Sequence, residues 1–214
     1  FSPNAELRSI TAWRGVTTTQ WDNSGGAHRT PFTPNGRFSR YSLSFLHQRQ
    51  FSQELQLVGG TGEIDYVAGL YYFKENAMEE AASPSTNQWN ADGTAYTILS
   101  PLTVGNAWQR DLWSRVRGSR AEAKSYAAFG QFTYSPAQVQ GLHLTVGGRY
   151  TKDQRDGVLY IVQNKASNFL FNFEDSRFDP MVTLAYEAAD GINLYAKYAT
   201  GYRAGGANSR SQTF

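Results

Sequence analysis

The residues able to do chemistry are scattered along this sequence rather than gathered. Its histidines, His28, His47 and His143, stand alone, and cysteine is absent. That excludes disulfide frameworks, thiolate zinc sites and cysteine nucleophiles. Neither an HExxH pair nor a GxxxxGK[ST] phosphate loop occurs. Gly59-Gly60-Thr61-Gly62 is glycine-rich, but it separates two strand-like runs and reads as a turn. Asp22-Asn23-Ser24-Gly25 has oxygen-rich spacing that could attract calcium, although a solvated turn accounts for it better. No catalytic constellation, metal site or cofactor is assigned.

Residues 108–124 carry the most recognition chemistry. They hold Trp108, Arg110, Trp113, Arg115, Arg117, Arg120 and Lys124 against only Asp111 and Glu122. In one loop, rings and guanidinium groups could grip an anionic ligand by stacking and charge-assisted hydrogen bonds. Two plainer roles compete: a loop meeting phosphate-bearing lipid, or arginines salt-bridged to neighbouring loops. The formal net charge of +2 supplies no strong basic field, so nucleic acid is not expected as a partner.

The elements that would position these groups are strands. The 214 residues suffice for one all-β domain. Mean hydropathy is −0.52, and no stretch approaches the roughly 18 apolar residues of a spanning helix. A barrel escapes that test, because its strands alternate apolar and polar faces. From Ser125 onward the period of two is strong. One set of faces holds Tyr126, Phe132 and Tyr134; Leu144, Val146 and Tyr150; Phe178, Val182, Leu184 and Tyr186; Ala196, Tyr198 and Tyr202. None of these faces carries a charge, and the aromatic rings gather at their ends. The alternate faces hold Arg149, Asp179, Glu187, Lys197 and Arg203. Earlier runs, at residues 6–16, 40–58 and 64–73, alternate less cleanly.

Between these seven runs, long and short connections alternate. Residues 17–39, 76–124 and 152–177 read as long, and 59–62, 135–141 and 188–191 as short. Antiparallel pairing would put every long link at one end. That arrangement, with strands about nine to eleven residues long and rings at both limits, suits an outer-membrane barrel. A soluble β-sandwich also alternates faces and stays open as an alternative.

Several segments resemble the barrel of TonB-dependent receptors of the bacterial outer membrane. They are Ser9-Ile10-Thr11-Ala12-Trp13-Arg14, Phe51-Ser52-Gln53-Glu54-Leu55-Gln56-Leu57, Tyr66-Val67-Ala68-Gly69-Leu70-Tyr71-Tyr72-Phe73 and Leu144-Thr145-Val146-Gly147-Gly148-Arg149-Tyr150-Thr151. The most specific is Leu194-Tyr195-Ala196-Lys197-Tyr198-Ala199-Thr200-Gly201-Tyr202-Arg203-Ala204-Gly205-Gly206-Ala207-Asn208, with Ala207 where the family commonly has Phe.

The resemblance implies an all-β, antiparallel transmembrane barrel, of which residues 1–214 supply about seven strands. It also implies a plug domain and closing strands outside this chain, consistent with a sequence opening at Phe1 without a signal region. The implied activity is TonB-energised uptake of a ferric siderophore or similar large nutrient, with no enzymatic step. The implied partners are outer-membrane lipid, the plug, the TonB protein and the chelate, in the outer membrane of a Gram-negative bacterium. The uncharged faces would then meet lipid, and Arg149, Asp179, Glu187, Lys197 and Arg203 the lumen. A passive porin-type channel is the rival within the membrane reading.

Overall fold

The computed structural model describes residues 4–22, 32–40, 42–83, 85–99 and 115–206. Its strands are β1 (Ala5–Asp22), β2 (Arg37–Arg40), β3 (Ser42–Thr61), β4 (Ile64–Ala82), β5 (Ser85–Trp89), β6 (Tyr96–Ile98), β7 (Arg115–Tyr134), β8 (Leu142–Val162), β9 (Lys165–Ala189) and β10 (Ile192–Ala199). Seven form one antiparallel sheet in the order β1-β3-β4-β7-β8-β9-β10, with neighbours in space also neighbours along the main wall. The other three form a small sheet, β2-β5-β6.

The period-two pattern reappears as two faces with a continuous register. Tyr134, Leu144 and Leu184 stand opposite one another across β7, β8 and β9, and Leu184 meets Ala196 of β10. The same rows carry Phe132, Val146, Val182 and Tyr198. Toward β1 they continue through Tyr66, Leu70 and Tyr72 of β4, and Phe51, Leu55 and Leu57 of β3. A soluble sandwich would bury such a surface against a second sheet. Here Tyr126, Tyr150, Phe178, Leu184 and Tyr198 all remain exposed. Among the described residues one buried cluster forms at Leu43 and Ala82, with Trp21 and Phe45 against them, and the other buried hydrophobics are Ala81, Ala127 and Leu159.

Strand lengths depart from the sequence reading in one consistent way. β7, β8 and β9 run 20, 21 and 25 residues, far beyond their apolar stretches. The expected long loop at 152–177 is therefore largely strand, closed by a two-residue turn at Gln163 and Asn164. Their φ values of 48° and 67° are what a type I′ hairpin requires. The alternation of long and short links fails at this point. What the two-faced pattern missed is that the faces are not distinguished there: polar residues 152–156 and 174–177 give way to apolar runs at 158–162 and 169–171 on both faces, so no period of two marks the strand. Backbone ladders and cross-strand polar pairs hold it instead: Glu174 accepts from Gln154 Nε2 at 2.9 Å and pairs with Lys152 Nζ at 2.6 Å. The expected loop at 76–124 likewise begins inside β4 and ends inside β7, with β5 and β6 between.

Candidate functional site

Alongside the apolar rows, the opposite face carries the charges. Arg149 of β8 is its centre, with its guanidinium 5.4 Å from the Tyr71 ring centre on β4 and 5.7 Å from that of Phe129 on β7. Glycine makes this stacking possible. A Cβ at Gly69 would collide with the Phe129 ring and stand 2.8 Å from the Leu55 carbonyl oxygen. The ring therefore lies along the wall, its face open to the cation. Arg149 Nε also donates to Thr151 Oγ1 at 3.1 Å.

Asp179 of β9 stands opposite Arg149 in register. It accepts from Thr200 Oγ1 at 2.9 Å and lies 3.4 Å from Arg177 Nε. Lys197 of β10 pairs with Thr183 and points to the same face. Arg149, Asp153, Arg155, Asp179 and Lys197 line a cavity of about 710 Å³. Asp153 is 8% exposed, so little of it meets water. Such a wall can bind charged side chains or a polar solute. Among the described residues it holds no cluster of metal-ligating side chains.

Three of the five residues assigned to this face, Arg149, Asp179 and Lys197, converge on the cavity. Glu187 lies apart at the short-turn end, where its backbone N–H donates to the Gly141 carbonyl at 2.9 Å. Arg203 follows the end of β10 and is exposed. Tyr202, expected on the uncharged face, is a correction. The strand stops at Ala199, so alternation no longer sets direction, and Tyr202 lines the polar cavity beside Asp153. The other uncharged-face assignments share one face by register: Tyr126, Phe132, Tyr134, Leu144, Val146, Tyr150, Val182, Leu184, Tyr186, Ala196 and Tyr198.

The arginine-rich segment divides. Trp108, Arg110 and Trp113 lie outside the described residues. Arg115, Arg117 and Arg120 sit in β7 rather than in a loop, which corrects their expected setting. Arg115 Nε lies 3.3 Å from Glu80 Oε2, and Arg117 Nη2 lies 3.1 Å from Glu79 Oε1. Arg120 stacks 5.2 Å above Tyr160, whose hydroxyl donates to Glu80 Oε1 at 2.8 Å. Carboxylates of β4 thus face this arginine group, the pairing role that competed with ligand contact.

Sequence reasoning missed the small sheet. Phe38 and Trp89 stack at 4.4 Å, with Tyr96 and Phe32 edge-on to Trp89. The signal was there in Asp92-Gly93-Thr94, a turn between two aromatic strands. Gly93 takes a φ of +75°, and Asp92 Oδ1 accepts from the Thr94 hydroxyl at 2.6 Å. That hydroxyl bond, reinforced by the Thr94 backbone N–H, holds the Asp92 carboxyl below the usual carboxylate range.

The family model for the TonB-dependent receptor-like β-barrel matches residues 2–214. No curated protein matches in sequence. Among solved structures, the ferric yersiniabactin uptake receptor FyuA from Yersinia pestis superposes with a TM-score of 0.64 at 15% identity. That match covers 92% of this chain and 26% of FyuA. The copper transporter OprC superposes with a TM-score of 0.58 at 16% identity, covering 92% of this chain and 27% of OprC. The chain therefore spans about a quarter of each.

Proposed function

This chain belongs to the TonB-dependent receptor β-barrel family, and we propose that it forms part of the wall of an outer-membrane receptor importing a ferric siderophore or similar large nutrient. Members of the family are transporters rather than enzymes. The observation that carries the reading is the two-faced wall. An uncharged face rimmed by aromatic rings suits lipid, while a face with Arg149, Asp153, Asp179 and Lys197 around a cavity suits a wet interior.

In this proposal the uncharged face meets the lipid of a Gram-negative outer membrane. The polar face meets a plug domain, and the inner-membrane TonB protein supplies energy through that plug. Fixed charges on the wall, with Arg149 stacked on two rings and Asp179 held by Thr200 and Arg177, suit docking of a polar plug better than tight capture of cargo. An iron chelate is the favoured cargo, and the metal-handling names of FyuA and OprC support that class. Trp108, Arg110 and Trp113 remain its proposed contacts, with Arg115, Arg117 and Arg120 available where the carboxylates release them.

The test is uptake of a radiolabelled ferric chelate by cells carrying the full-length receptor, with and without a protonophore. Energised import predicts that accumulation collapses when the proton gradient is removed, while surface binding persists. A passive porin-type channel predicts flux that ignores the protonophore, and that result would overturn the energised reading.

A further inference from the structure

β10 ends at Ala199 for a reason that lies in β9. The register, Ala199 against Met181, brings Thr200 opposite Pro180 next. Antiparallel partners at such a position exchange two hydrogen bonds. One of them forms, from the Thr200 N–H to the Pro180 carbonyl at 3.2 Å. The return bond needs an N–H that proline lacks, so the ladder stops there. β9 itself extends back to Lys165, and along residues 165–180 no strand covers that edge among the described residues.

Beyond Thr200 the chain turns inward over β9. Thr200 Oγ1 donates to Asp179 Oδ1 at 2.9 Å, and Tyr202 and Ala204 line the polar cavity. Gly205 lies so close to Phe173 that a Cβ would stand 2.7 Å from its ring. This position has a cost. Tyr202 Oη is buried near Asp153 and Asp175 without a hydrogen-bond partner among the described residues.

The sequence fits a second position as well. Uncharged alternation runs through Leu194, Ala196, Tyr198, Thr200 and Tyr202 without a break. With pairing to β9 extended by three residues, Tyr202 would stand opposite Phe178, which already faces Tyr150 across β8. Its ring would join that exposed aromatic row with the hydroxyl at the water boundary, and part of the open β9 edge would be covered. Gly201, with open space around it, is the point where the two courses diverge.

We propose that residues 200–206 form a two-position strap that gates the wall cavity. Inward, the strap closes the cavity beside Arg149, Arg155 and Lys197. Outward, it lengthens β10 and opens the cavity to the lumen. Pro180 keeps the two positions close in free energy by withholding one ladder bond from the outward one. The outward position rests on the membrane reading above, since lipid receives the Tyr202 ring there.

The experiment uses the full-length receptor in lipid vesicles, with a nitroxide attached through Tyr202→Cys. Spin resonance reads its contact with lipid-dissolved oxygen and with a water-soluble nickel chelate. Two components are expected, one facing lipid and one turned inward. P180A restores the missing donor and should raise the ratio of lipid-facing to inward label about fivefold, the worth of one hydrogen bond. G205V drives the strap off the Phe173 ring and should shift the ratio the same way. A single component at position 202 that neither variant moves would overturn the strap. A label through Tyr198→Cys should face lipid throughout, and finding water there would instead remove the membrane reading itself.

Discussion

Replacing Ala196 with arginine in the full-length protein is expected to cost about 2–4 kcal/mol of stability in lipid vesicles, the penalty for a cation near the bilayer midplane. Ala196 is exposed on β10, opposite Leu184 and flanked on its face by Leu194 and Tyr198. An arginine there has no carboxylate on its own face among these neighbours, and hydrocarbon cannot hydrate it. Ala199, three residues on, points to the polar face and lines the cavity with Asp179. Its replacement by arginine should cost far less. Unfolding by urea in vesicles measures both. Equal penalties at the two positions would contradict the assignment of faces.

The second large effect concerns the isolated chain of residues 1–214. Without detergent it is expected to aggregate rather than persist as a folded monomer. Leu7, Leu55, Leu70, Leu184 and Tyr198 would form a continuous wet apolar surface, larger than soluble proteins leave uncovered. β1 and β10 form the two edges of the main sheet, each with a free row of hydrogen-bonding groups. Every residue of β10 is exposed. Sedimentation in buffer should show large, heterogeneous species, and detergent should disperse them. A sharp cooperative melt of a detergent-free monomer would contradict this expectation.

Legibility in the sequence tracked the solvent. Where one face is apolar and the other polar, alternation marked the strand and its faces, as with Leu144, Val146 and Tyr150 against Arg149. Beyond Lys152 the two faces are alike, polar at 152–156 and apolar at 158–162, so β8 and β9 continue unmarked by alternation to a turn at Gln163 and Asn164 that carries no glycine or proline. The type I′ geometry there falls on Gln-Asn, where Asn-Gly or Asp-Gly would have signalled it. Parity also placed Arg149, Asp179 and Lys197 on one face. It could not bring Tyr71 and Phe129 to Arg149, because that contact depends on register across β4, β7 and β8. Tyr202 shows the other limit: parity holds only while the strand does.

The most direct measurement is a cysteine scan along β10, from Ile192 to Ala199, in the full-length receptor within membranes. The native sequence offers no competing thiol. Positions 194, 196 and 198 should react with a lipid-soluble maleimide and resist a charged one. Positions 195, 197 and 199 should show the reverse wherever water reaches the interior, and silence toward both where a plug covers them. An alternation of period two in lipid access is the result predicted for a membrane-spanning wall. Uniform aqueous labelling, or protection from both reagents at position 196, would contradict it.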